Sequence, residues 1–142
     1  MSFSPVLTPP PATEGGWFEA LLSLSRFLRS PGGCPWDREH SARQFAGFAC
    51  EEAEELCEAL DSGNDAHAEE EYGDCLFTLL ACMAAAEAEG RFSMSSALER
   101  AYEKMVRRHD HVFRGDRAAT PEEAIASWNS IKLREKEKQR GE

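Results

Sequence analysis

No lysine or arginine occurs between Arg43 and Arg91, although that interval carries thirteen aspartates and glutamates. The rest of the 142-residue chain sums to +3, so the net charge of −10 is concentrated in the middle. Such a chain is a poor partner for a nucleic acid duplex, whose phosphates demand a cationic surface. It can meet a polyanion only locally, where a metal ion bridges carboxylates to phosphate. Cysteine pairing signals are missing as well. Cys34, Cys50, Cys57, Cys75 and Cys82 are odd in number, no CxxC occurs, and no Cys/His spacing suits a structural zinc. With four of them in helix-like apolar runs, they read as reduced core thiols of a cytoplasmic protein. The uncharged apolar run Cys75 to Ala86 is far below membrane-spanning length, and no basic segment precedes an apolar stretch near the N-terminus. A soluble cytoplasmic protein without a membrane partner is expected. Finally, no segment alternates apolar and polar residues between hairpin turns, which argues against a sheet.

What is present is helical periodicity. Pro5, Pro9, Pro10 and Pro11 mark residues 1–14 as a disordered or extended tail. Phe18, Leu21, Leu22, Leu24, Phe27 and Leu28 form the stripe of a helix from about 17 to 28, ended by Pro31-Gly32-Gly33. Cys34-Pro35-Trp36-Asp37 is expected to be a connecting loop. A second helix is expected from about Ser41 to Leu60 and a third from about Asp65 to Glu89. The fourth is expected from Ser93 to about Val112, capped by Ser93 or Ser95. Thr120-Pro121-Glu122-Glu123 starts the last helix, which reaches about Lys138. The fold class is all-α: a bundle of four to five helices with an antiparallel central pair, forming a single domain over 15–138 with a frayed 139–142 tail.

Two acidic clusters lie in segments that otherwise read as buried helix: Glu51-Glu52-Ala53-Glu54-Glu55 and Glu71-Tyr72-Gly73-Asp74. With Phe45 at zero and about 100° per residue, Glu52 falls at about −20°, near the centre of the face made by Phe48, Ala49, Leu56 and Ala59. Glu55 lies on its edge at about −80°, whereas Glu51 and Glu58 are peripheral. A carboxylate inside an apolar stripe is costly unless a cation or hydrogen bonds compensate it. Glu71 and Asp74, three apart, share a face of the third helix. Antiparallel pairing about Gly63 brings 52–55 opposite 71–74. Four carboxylates across one interface suit a hard dication, Mg²⁺ or Mn²⁺, rather than zinc. A di-iron bundle wants Glu-x-x-His, which does not occur.

The pattern Glu-Glu-x-x-Glu followed by Glu-x-x-Asp resembles the MazG-like family of all-α nucleoside triphosphate pyrophosphatases. Gly33-Cys-Pro-Trp-Asp37, Glu89-Gly-Arg-Phe92, Lys104-Met-Val-Arg-Arg-His109-Asp-His-Val-Phe113 and Trp128-Asn-Ser-Ile-Lys132 are similar to further motifs of that family, in order, from about 17 to 135. Asp110 stands where the family usually has Pro. Family members with this loop often carry two such domains in tandem, and this chain has one.

The resemblance implies hydrolysis of a (deoxy)nucleoside triphosphate to a monophosphate and pyrophosphate, in a sanitising or pool-controlling role. It implies Mg²⁺, with Mn²⁺ as substitute, held by Glu52, Glu55, Glu71 and Asp74, and a water-activating carboxylate among Glu51, Glu52 and Glu55. Lys104 and Arg108, four apart, either clamp phosphates or are solvated bases; Lys132 is a further phosphate candidate. Trp128 is either a base-stacking platform or ordinary core. Trp36 and Asp37 either shape a nucleoside pocket or, for Asp37, cap the loop. His109 and His111 read as helix terminators. The resemblance also implies a homodimer or dimer of dimers, in keeping with a core helix that is apolar on all sides. A non-catalytic helical module that binds nucleotide or metal is the competing reading.

Overall fold

Polar caps fix where the long helices begin. The computed structural model describes residues 2–115 and 117–141, and among these residues seven α-helices and no strand occur. Helix α1 spans Glu14–Arg29, α2 Pro35–Glu39, α3 Ala42–Ser62, α4 Asp65–Ala88, α5 Met94–Arg108, α6 Asp110–Phe113 and α7 Pro121–Arg140. Thr13 Oγ1 accepts the Gly16 N–H at 3.0 Å, so α1 starts earlier than its apolar stripe suggests. Ser41 and Gln44 form a reciprocal capping box at the head of α3. Thr120 caps α7 with Pro121 as its first residue, as the sequence predicts. The chain divides into two compact units, one ending at Ser93 and one beginning at Met94.

In the first unit, α3 and α4 form the most extensive helix pair. Their turn is short because Gly63 takes the left-handed conformation (φ 74°) and Asn64 caps the His67 N–H at 3.1 Å. The core is built from small side chains: Ala42, Phe45, Ala81, Ala85 and Ala86 cluster, with Phe48 and Cys82 packed against them. Alanine at facing positions allows a close helix approach. Helix α1 packs on α4, tied by Arg26 to Glu87 at 3.0 Å. The segment before Thr13 forms no helix, though the Phe3 ring stacks on Phe27 with centroids 4.6 Å apart.

Several expectations are corrected. The segment read as a loop after Cys34 is the short helix α2. It is pinned by Arg29, whose guanidinium donates to the carbonyls of Asp37 (2.7 Å) and His40 (2.6 Å). The fourth helix stops at Arg108, four residues before its predicted end, because the chain turns at His109 and restarts as α6. Helix α7 runs to Arg140 instead of fraying after 138; residues 1 and 142 of the expected tails lie outside the described residues. Cys50 and Cys57 are exposed thiols and not core. At about 140° and 120° from Phe45 they fall off the buried face. Leu60 is also exposed, since the buried positions at that end of the pair are Ala59 and Ala68.

Gly33 shows why its motif begins with glycine. A Cβ there would lie 2.3 Å from the Phe27 and Leu28 carbonyl oxygens, backbone atoms that cannot move aside cheaply. Gly33→Ala is expected to destabilise the fold by about 1–3 kcal/mol, read as a lower midpoint in denaturant.

Candidate functional site

Helix α3 delivers Glu52 and Glu55, one turn apart, and α4 delivers Glu71 across the interface. One carboxylate oxygen from each lies within 4.8 Å of the others. Glu71 is buried, and its Oε2 and the Oε2 of Glu52 are buried without any hydrogen-bond partner. Two orphaned carboxylate oxygens facing a third acid are a costly arrangement for a merely structural site. Burial, with contacts to Glu55 and Glu52, pushes the Glu71 carboxyl up to about 7. Burial first, and then the charges of Glu55 and Asp74, also raises Glu52, while a hydrogen bond with Glu71 acts in the opposite direction. The donors are all oxygen, and no lysine or arginine lies in the 44–90 stretch that supplies them. These residues fit a hard dication of the Mg²⁺ or Mn²⁺ type.

The structure does not bring all four predicted ligands into that set. Asp74 is exposed and lies outside the 4.8 Å triad, although its charge reaches Glu52. Glu51, Glu54 and Glu58 are exposed. One residue at this site was not anticipated: His67, whose Nε2 lies 3.7 Å from Glu71 Oε1 and whose Nδ1 lies 4.0 Å from Glu70 Oε2. Its four-residue spacing from Glu71 was the available signal.

One turn before Glu52 on α3, Phe48 joins an aromatic group with Trp36, His40 and Phe45. Trp36 stacks on His40 (centroids 3.9 Å apart) and on Phe48 (5.7 Å), with Phe45 edge-on at 5.8 Å. His40 and Phe48 are themselves only 5.7 Å apart, so they cannot lie on opposite faces of the indole. Trp36 itself is 51% exposed. Asp37 holds Arg29 through its backbone carbonyl, and its carboxylate has no partner among the described residues. It is therefore not a side-chain cap.

In the second unit, Arg108 is not a free base. Its guanidinium donates to Glu135 at 2.8 Å, sits 5.2 Å from the centre of the Trp128 ring, and is largely buried. Arg107 donates to the other Glu135 oxygen, and Arg108 first and Arg107 second hold that carboxyl below its ordinary value. Trp128 also meets the edge of His109. Lys104 and Lys132 are exposed and make no ion pair among the described residues.

The profile of the MazG nucleotide pyrophosphohydrolase domain matches residues 41–113. The chain belongs to the MazG family. The MazG nucleoside triphosphate pyrophosphohydrolase/pyrophosphatase of Thermotoga maritima is 38% identical over 123 residues, 87% of this chain and 47% of that protein. The nucleoside triphosphate pyrophosphohydrolase of Escherichia coli (strain K12) is 34% identical over 119 residues, 83% of this chain and 45% of that protein. A crystal structure of a mazG-related protein from Thermotoga maritima matches with a TM-score of 0.69 at 30% identity, covering 81% of this chain and 98% of that one. The chain thus spans less than half the length of these curated relatives.

The MazG match contains the whole acidic triad and crosses the division at Ser93. Two of this chain's MazG-like motifs now have structural explanations. Gly90 (φ 70°) ends α4, and Glu89 Oε1 accepts the Ala42 N–H at 3.2 Å, capping the first turn of α3. Asp110 is the first residue of α6, a position that suits Pro by its fixed φ and Asp by its charge, so this departure keeps the local structure.

Proposed function

We propose that this MazG-family chain is a nucleoside triphosphate pyrophosphohydrolase. It cleaves (deoxy)nucleoside triphosphates between the α and β phosphates, in nucleotide-pool sanitation. The observation that carries this reading is the Glu52–Glu55–Glu71 triad, in which buried Glu71 and half-buried Glu52 each keep one buried, unpartnered oxygen beside exposed Glu55. These three would hold Mg²⁺, or Mn²⁺ in its place, with Asp74 contributing from the next turn of α4. When bound, the ion neutralises the triphosphate oxygens and the charge developing on the leaving pyrophosphate. One carboxylate among Glu51, Glu52 and Glu55 accepts the proton of the water that attacks the α phosphorus. The bond to the bridging oxygen breaks and pyrophosphate leaves.

Half-exposed Trp36, stacked on Phe48, which stands one helical turn before Glu52, supplies a stacking surface for the base, with Asp37 beside it. Lys104 and Lys132, exposed and without an ion pair among the described residues, are the phosphate-contact candidates that the second unit offers. Arg108 and Trp128 contribute as an already engaged pair that frames the second unit. The family match across the division at Ser93 supports one MazG domain over 15–138. Exposed Leu79, Phe113, Ile125 and Leu133 support a homodimer or dimer of dimers. Five free cysteines support a cytoplasmic setting, and no helix is long and apolar enough to cross a membrane among the described residues.

The test is incubation of the full chain with a panel of ribo- and deoxyribonucleoside triphosphates and Mg²⁺. Monophosphate and pyrophosphate should appear in equal amounts. Orthophosphate with diphosphate, or nucleotide binding without turnover, would overturn the reading.

A further inference from the structure

We infer that His67 is a positioning residue for the Glu71 carboxylate, aiming it at the cation held by the acidic triad; this rests on the metal reading of that site. The two oxygens of Glu71 are in different situations. Oε1 lies 3.7 Å from His67 Nε2, whereas Oε2 is buried and has no partner. His67 stands one turn before Glu71 on α4, so the two side chains share a face. Its backbone is fixed in the first turn by the Asn64 cap. The imidazole is about half exposed. A small rotation brings Nε2–H within hydrogen-bond distance of Oε1. Glu70 brackets the ring on its other side, 4.0 Å from Nδ1. A donor on one oxygen fixes the plane of the carboxylate and leaves the other oxygen for the ion. Partners of this kind typically change metal affinity by about 10–100-fold when removed.

The experiment is Mn²⁺ binding to the full chain, read from loss of the free-ion paramagnetic resonance signal. The proteins compared are wild type, His67→Ala, His67→Gln and Glu70→Gln. His67→Ala is expected to weaken Mn²⁺ binding about tenfold. His67→Gln, which keeps an N–H donor, should recover most of that loss, and Glu70→Gln should stay within about twofold of wild type. The direction itself is diagnostic. If His67 acted by positive charge alone, removing it would tighten binding of a cation. Melting in chelator, followed by circular dichroism, should be the same for all four proteins.

Unchanged or tighter binding by His67→Ala, beside normal wild-type binding, overturns the role of His67 and leaves the metal reading standing. Failure of His67→Gln to rescue likewise overturns it. Failure of the wild type to bind Mn²⁺ overturns both.

Discussion

Glu52→Gln and Glu71→Gln should each reduce pyrophosphate release by about 10²–10³-fold, the scale on which loss of one preorganised charge-stabilising group acts. Both changes keep side-chain shape and remove one negative charge from the triad. Neither should harm the fold, because the carboxylates crowd one another and each has one buried, unpartnered oxygen as it stands. The double variant should be little worse than either single one, since the ligands act as a unit. Asp74→Asn should cost less, as Asp74 is exposed and outside the triad. Initial-rate pyrophosphate assays at saturating Mg²⁺, with circular dichroism as the folding control, measure this. A Glu52→Gln enzyme turning over at nearly the wild-type rate would remove the triad from the mechanism.

The second large effect is on stability. The Glu71 carboxyl is held near 7 when folded, against an ordinary value of 4.5. The folded chain therefore keeps a proton that the unfolded chain releases. Stability contributed by that proton is complete below pH 4.5, declines as pH rises towards 7, and is gone above it. In chelator, wild type should lose more stability than Glu71→Gln between these limits, and the two curves should run parallel beyond them. A bound dication removes the cause. At 100-fold excess over its dissociation constant, Mg²⁺ should restore about 2.7 kcal/mol, a rise in melting temperature on the order of 10 °C. Glu52→Gln should abolish that rise. Scanning calorimetry across pH 4–8, with and without Mg²⁺, separates the outcomes; a Mg²⁺-insensitive melting temperature at pH 8 contradicts the site.

Much of this arrangement was readable from periodicity. The wheel that put Phe45, Ala49 and Ala59 inward also put Glu52 among them, and all three are buried with one Glu52 oxygen. The cap signals at Ser41 and Thr120 identified helix starts because capping is local chemistry. What escaped was set by partners remote in sequence. Arg108 read as a phosphate clamp or a solvated base on its own helix, and it is Glu135, twenty-seven residues later, that engages it. Helix α2 was hidden because its anchor is Arg29 of the preceding helix. His67 was passed over since a lone histidine in a first turn carries no signal until its neighbour is known to matter.

The alanine-lined contact between α3 and α4 has a bearing on how this enzyme family can change. With alanines clustered at that contact, there is little bulk left to trim, and larger side chains in their place would wedge the helices apart. The gap that separates the acids therefore behaves as a caliper set near its minimum opening, so drift in residues that never touch substrate would widen its jaws and favour larger ions.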